Sequence, residues 1–139
     1  MNILIIGCGK IGSSLAATLD SLGHDVSVID QNPEKLESLS ESFAGFTTAG
    51  VPIDTEVLKR AGITTCDMLF SVTDEDDMNI MVCQLAQQTF GISRVYARIA
   101  DIRKGEAFEK LGINVLCPTK LLVNAACDAI AEDESTDDE

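Results

Sequence analysis

Apolar runs of four to six residues alternate with stretches of helical spacing along the whole chain. Residues about 1–6 around Ile3-Leu4-Ile5-Ile6, about 25–30 around Val28-Ile29-Asp30, Phe46-Thr47-Thr48-Ala49, Met68-Leu69-Phe70-Ser71-Val72, Val95-Tyr96-Ala97-Arg98-Ile99 and Asn114-Val115-Leu116-Cys117 read as buried strands. Between them, apolar residues recur every three or four positions. Ile11, Leu15, Leu19 and Leu22 predict a helix over about 10–23 that stops at Gly23. Further helices are predicted over about 33–42, 54–61, 75–90, 102–111 and 118–131; Pro33 follows the capping Asn32, and acids crowd the first turn after Thr73. Six strand-helix units with short connections and right-handed crossovers make an α/β chain, a Rossmann-like doubly wound parallel six-stranded sheet of order 3-2-1-4-5-6 with helices on both faces.

Composition supports this class and narrows the partners. The 139 residues suit one domain, with 45% hydrophobic residues and only 4% aromatic, a balance fitting an aliphatic sheet covered by helices. The net charge is −13, and six acids lie in residues 132–139, leaving 17 acids against 10 bases elsewhere. The expected organisation is a folded domain over 1–131 followed by a disordered acidic tail over 132–139. A chain this acidic has no basic stripe for nucleic acid, and no apolar run reaches the ~20 residues of a membrane span. Met1-Asn2-Ile3 leads straight into the first strand, so a cytoplasmic protein without a signal peptide is expected. Five cysteines without a CxxC pair and the lone His24 indicate neither a disulfide framework nor a zinc site.

The chemistry is concentrated in Gly7-Cys8-Gly9-Lys10-Ile11-Gly12, which follows the first strand and opens the first helix. Glycines at 7, 9 and 12 allow a tight turn, close approach of a pyrophosphate and close packing of helix on sheet, while the helix start offers unpaired N–H groups to phosphate. Asp30 ends the second strand, 18 positions after Gly12, where a carboxylate accepts hydrogen bonds from ribose hydroxyls. No arginine follows in Gln31-Asn32-Pro33-Glu34, so NAD(H) or AMP, ADP or ATP is favoured over NADP(H). The loop residues 7 to 12, with Asp30 and Gln31, are candidate cofactor contacts. Lys10 reads equally as a phosphate contact or a solvated lysine. Cys8, at a helix start that would stabilise a thiolate, reads as a packing residue or a redox-sensitive one.

Further motifs are more specific. Ala61-Gly62-Ile63, Ser71-Val72-Thr73-Asp74-Glu75-Asp76-Asp77-Met78-Asn79, Tyr96-Ala97-Arg98-Ile99 and Cys117-Pro118, added to the glycine loop, resemble the N-terminal domain of the regulator-of-potassium-conductance (RCK) family, also called TrkA-N or KTN. The resemblance covers residues 1 to about 131. It implies a non-catalytic, nucleotide-binding regulatory subunit of a potassium uptake transporter or channel, cytoplasmic and held at the inner face of the membrane by its partner. It also implies a homodimer or higher ring, and a nucleotide that shifts the packing between paired domains. By the same resemblance Thr73, Asn79 and Arg98 stand at the nucleotide crevice. Thr73 also reads as a helix cap, and Arg98 as a partner of the acids at 74 to 77. Val51 occupies the place where the family carries an acid near adenine; it cannot accept a hydrogen bond, unless Asp54 reaches back to do so.

Two other readings remain. A small NAD-dependent oxidoreductase needs a proton donor at the carboxyl ends of the strands, yet His24 lies in the opposite connection and Tyr96 within a strand. An interaction module with a decayed nucleotide site would still use the last helix, where Leu121, Leu122, Ala125, Ala126, Ala129 and Ile130 form an apolar band.

Overall fold

The six apolar runs form strands β1 (Asn2–Ile6), β2 (Asp25–Asp30), β3 (Phe46–Ala49), β4 (Met68–Ser71), β5 (Val95–Arg98) and β6 (Asn114–Leu116) in a computed structural model that describes residues 1–39 and 41–137. All five pairings are parallel and the order is β3-β2-β1-β4-β5-β6, as the alternation predicts. Ile6 lies level with Ile29 on one side and Ser71 on the other, so the carboxyl ends of β1, β2 and β4 finish together. Strand order reverses between β1 and β4, and that reversal opens a crevice above their ends.

The connections are helices α1 (Lys10–Ser21), α2 (Pro33–Glu37), α3 (Thr55–Arg60), α4 (Asp76–Phe90), α5 (Ile102–Glu109) and α6 (Pro118–Asp137). Their starts follow capping chemistry: Asn32, Asp54 and Asp101 each accept a main-chain N–H of the following first turn, from Glu34, Glu56 and Lys104 respectively. Gly91 ends α4 in the left-handed conformation at φ 67°.

Two boundaries differ from expectation. The second helix, expected over 33–42, stops at Glu37, because Ser38 folds its hydroxyl back onto the Lys35 carbonyl and competes with helix continuation; residue 40 lies outside the described residues. The last helix, expected to fade at 131 into a disordered tail, continues to Asp137. No proline or glycine follows Pro118 to stop it, and residues 138–139 of that tail lie outside the described residues. A short 3-10 turn at Ile63–Thr65 was not visible in the pattern.

Alternation along the strands divides the core between the two faces of the sheet. Leu4, Ile6, Ile29 and Leu69 pack with Leu58, Val82, Cys83 and Val95, under α3 and α4. Ile3, Ile5, Val26 and Val28 pack with Ala16 and Leu36, under α1 and α2. Central parallel strands buried on both faces need continuous apolar sequence, which β1 supplies. The carboxyl half is different: Met68, Phe70, Tyr96, Arg98 and Leu116 are only half-buried, and α6 is exposed from Thr119 to Ser135.

Candidate nucleotide crevice

The glycine loop is shaped by its own main chain. Gly7 adopts φ 102°, a region disfavoured for any residue with a Cβ, and its N–H donates to the Ile29 carbonyl at 2.8 Å. A Cβ at Gly12 would overlap the Gly7 carbonyl oxygen, so α1 reaches the loop this closely only with glycine there. Gly9 is the opposite case, since a Cβ placed on it meets nothing within 4 Å. It precedes α1 as an N-cap with no side-chain acceptor, and the first bond of the helix runs from Ser13 N–H to the Gly9 carbonyl. The N–H groups of the first turn, through Lys10, Ile11 and Gly12, therefore have no partner in the helix. Open space beside them and the positive end of a 12-residue helix fit a phosphate group.

Asp30 does two jobs at the mouth. Its Oδ2 accepts the Cys8 N–H at 2.8 Å and its Oδ1 the Asn32 N–H at 2.8 Å, which ties the glycine loop to the end of β2. Each carboxylate oxygen keeps a further lone pair, enough for the two hydroxyls of a ribose. This bracing role was not readable from spacing alone.

Cys8 belongs to the fold and not to the crevice wall. It is buried, its amide is spent on Asp30, and its Sγ donates to the Lys35 carbonyl. Burial, then the Asp30 carboxylate, pushes its thiol above the ordinary range, against a lesser pull from Lys35. The expectation of a stabilised thiolate is thus corrected: desolvation outweighs the helix start. Burial likewise pushes Cys66 to about 11 and Cys83 to about 12.

The crevice encloses about 240 Å³. One bank is Ile29, Asp30, Gln31, Asn32 and Lys35; the other is Thr73, Asp74, Glu75 and Met78; Gly7 and Pro52 also line it. Lys35 was missed in the sequence, although its position in the first turn of α2, three residues after the Asn32 cap, is a usable signal. Of the glycine loop only Gly7 lines the crevice; Gly9, Lys10 and Ile11 are exposed and Gly12 is buried, all outside this lining. Val51 is also outside it and exposed, and Asp54 is occupied as the cap of α3 rather than turned back towards the crevice.

Beneath the second bank lies a polar knot. Asn79 is fully buried, and its Oδ1 accepts from Ser71 Oγ, Thr73 Oγ1 and Thr73 N–H, while its Nδ2 donates to the carbonyls of Thr73 and Arg98. All its hydrogen-bonding capacity is spent, so it shapes the crevice through Thr73 without touching a ligand. Arg98 donates from Nη1 to the Thr73 carbonyl and to Asp74 Oδ1, both within 3.2 Å, and stands outside the crevice lining. Of its two readings, pairing with the acids is the one the geometry adopts. Thr73 lines the crevice, and its hydroxyl accepts the Glu75 N–H in the turn before α4, whose N-cap is Glu75 and not Thr73.

The oxidoreductase candidates lie elsewhere. His24 lines a larger cavity of about 350 Å³ at the amino ends of the strands, and Tyr96 stacks on Phe70 with ring centroids 4.9 Å apart. Among the described residues no cluster of potential ligands could hold a metal ion, and no helix is long and apolar enough to cross a membrane.

Comparison with known proteins agrees with this geometry. The family model of the TrkA-N domain matches residues 3–118. The Trk system potassium uptake protein TrkA of Streptomyces coelicolor is 40% identical over 81% of this chain and 51% of its own length, and a TrkA homolog of Pyrococcus abyssi is 37% identical over 80% and 49%. The chain thus spans about half the length of the curated relatives it matches. Two solved structures share the fold: the AMP-bound Kef C-terminal domain of Shewanella denitrificans (TM-score 0.77, 22% identity, 94% of this chain and 80% of that one) and the GsuK channel bound to NAD (TM-score 0.68, 23% identity, 84% and 21%).

Proposed function

The chain belongs to the TrkA-N domain family, and from that premise we propose that it is a nucleotide-binding regulatory subunit or domain that controls a potassium uptake transporter or channel. The observation that carries this reading is the glycine loop next to the crevice: N–H groups at the start of α1 without a partner in the helix, open space at Gly9, and Asp30, which lines the crevice and is bonded to the loop. In this reading the ligand is NAD(H) or an adenine nucleotide. Its phosphates lie on Gly9 to Gly12, with Lys10 at their outer edge, and its ribose on Asp30 beside Gln31. Potassium transport comes to this chain from the names of its relatives.

No catalysis is proposed, because neither His24 nor Tyr96 reaches the crevice and its floor is held by a fully spent asparagine. The work of the ligand is instead a shift between two arrangements of paired domains, driven by contacts that differ between them. A homodimer, or a ring built from dimers, supplies the pairing. The apolar band of α6 and the half-buried face of Phe70, Tyr96 and Leu116 are two unsatisfied surfaces that a second copy covers. The assembly sits in the cytoplasm against the inner face of the membrane through its partner.

Isothermal titration of the full chain with NAD, NADH, AMP, ADP and ATP tests the proposal, together with identification of any nucleotide that co-purifies. Saturable binding of at least one, weakened about tenfold or more by Asp30→Ala, is the expected outcome. Absence of heat and of thermal stabilisation with all five overturns it in favour of an interaction module without ligand.

A further inference from the structure

The outer edge of β3 is unprotected, and we infer that it is a second self-association surface, which joins α6-paired dimers to one another through antiparallel β3–β3 pairing; the inference rests on the homodimer proposed above. β3 has a neighbouring strand on one side only, β2. The Gly50 N–H donates to the Asp30 carbonyl, so by the two-residue period of a strand Phe46, Thr48 and Gly50 turn their main-chain groups towards β2. Thr47 and Ala49 turn theirs outward, and both residues are exposed.

Natural sheets blunt such an edge with a charge, a proline or a bulge. β3 carries no charge and no proline. Residues 42–53 hold no charged side chain in a chain of net charge −13, and within them Phe46 is 79%, Val51 46% and Ile53 37% exposed. Two copies this acidic repel one another over most of their surface, and an uncharged apolar edge is where they approach at least cost. A basic partner finds no carboxylate in this stretch to attract it. Charge therefore favours a second copy as the occupant.

The edge also complements itself. With a two-fold axis at Thr48, Thr47 exchanges both main-chain hydrogen bonds with Ala49 of the second copy, and Ala49 does the same with its Thr47. Thr48 then faces Thr48, a favourable cross-strand pair, and Phe46 faces Gly50, a large side chain opposite a residue with none. β3 and β6 are the opposite edges of the sheet, so this contact does not compete with the face of β4 to β6. Two different isologous contacts on one chain build dimers into larger assemblies. A strand of four residues offers few hydrogen bonds, so its contact is the weaker of the two and adds to the dimer rather than replacing it.

The test is sedimentation of the full chain over a concentration series, with hydrogen exchange of the Thr47 and Ala49 amides read in the same samples. The parent is compared with Thr47→Pro, Thr47→Val and Phe46→Lys. Thr47→Pro removes an outward donor and no bond of the chain's own sheet, Thr47→Val keeps that donor, and Phe46→Lys charges an exposed position. The expected result is a parent dimer that grows into larger species as concentration rises, with both amides exchanging more slowly as it does. Thr47→Pro and Phe46→Lys weaken that growth about tenfold or more and leave the dimer intact, whereas Thr47→Val grows as the parent does. A dimer that grows no further, or growth that ignores Thr47→Pro and Phe46→Lys, overturns this inference and leaves the α6 homodimer and the nucleotide reading standing. A parent that stays monomeric overturns the homodimer and this inference together, whatever the nucleotide titrations give. Circular dichroism and thermal unfolding establish that the variants fold, and Phe46→Lys carries the test if Thr47→Pro does not.

Discussion

The sheet is covered on both faces over β1 and β2, and on one face only over β4, β5 and β6; the edge strand β3 is open as well, with Phe46 79% exposed. Across β1 and β2 the residues of both faces are buried, Ile3, Ile5 and Val28 under α1 and α2, Leu4, Ile6 and Ile29 on the face of α3 and α4. Across β4, β5 and β6 one face is buried, with Leu69, Val95 and Ala97 at or near zero exposure, and the other leaves Phe70, Tyr96 and Leu116 half in water. The element that could cover this face, α6, leaves the sheet, with Leu121 58% and Leu122 74% exposed. Apolar area left in water forgoes about 25 cal/mol per Å². The closed half around β1 and β2 is completed within one chain, and the open face of β4 to β6 is the surface that the proposed homodimer would cover.

The comparison can be broken most forcefully where the closed half is tightest. Gly12→Val drives a side chain into the Gly7 carbonyl, and urea unfolding should show a loss of about 3 kcal/mol or more along with loss of nucleotide binding. A loss below about 1 kcal/mol would mean that α1 and the loop can part without cost.

Asn79→Ala acts at the seam of the two halves. It strands Ser71, the Thr73 N–H and two carbonyls that one amide now satisfies, and should cost about 2–3 kcal/mol. Because Thr73 and the Arg98 main chain share that amide, nucleotide affinity should fall in the same variant. Wild-type affinity in a folded Asn79→Ala protein would show that the second bank does not depend on the knot.

The open half sharpens the contrast by its small effect on one chain and large effect on two. Leu121→Glu with Leu122→Glu changes exposed positions, so the stability of the isolated chain should move by less than about 0.5 kcal/mol. Sedimentation should nevertheless shift from dimer to monomer. A parent that is monomeric at high micromolar concentration would contradict the role given to α6.

Much of this was legible from residues. Apolar runs and period-3.6 patterns located all six strands and six helices, because a strand buried on both faces is continuously apolar and a helix packed on a sheet repeats at that spacing. The glycine loop and Asp30 were legible because each glycine answers a local steric demand that spacing records. The helix ends were less so: Ser38 stops α2 through a hydroxyl that competes only in that geometry, and α6 runs past 131 because local propensity had nothing to stop it.

The site divides along the same line. By itself the sequence determined the strand order, the glycine turn and the acid beside it, since all three follow from contacts between near neighbours or from the handedness of the crossovers. Only the tertiary structure decided that Asp30 also braces the loop, that Cys8 is withdrawn, that Lys35 lines the crevice, that Asn79 is spent beneath it, and that α6 stands apart. Each of these depends on which distant groups share a burial site. Burial, and competition for a hydrogen-bond partner, are properties of the packed molecule and not of any segment of the chain.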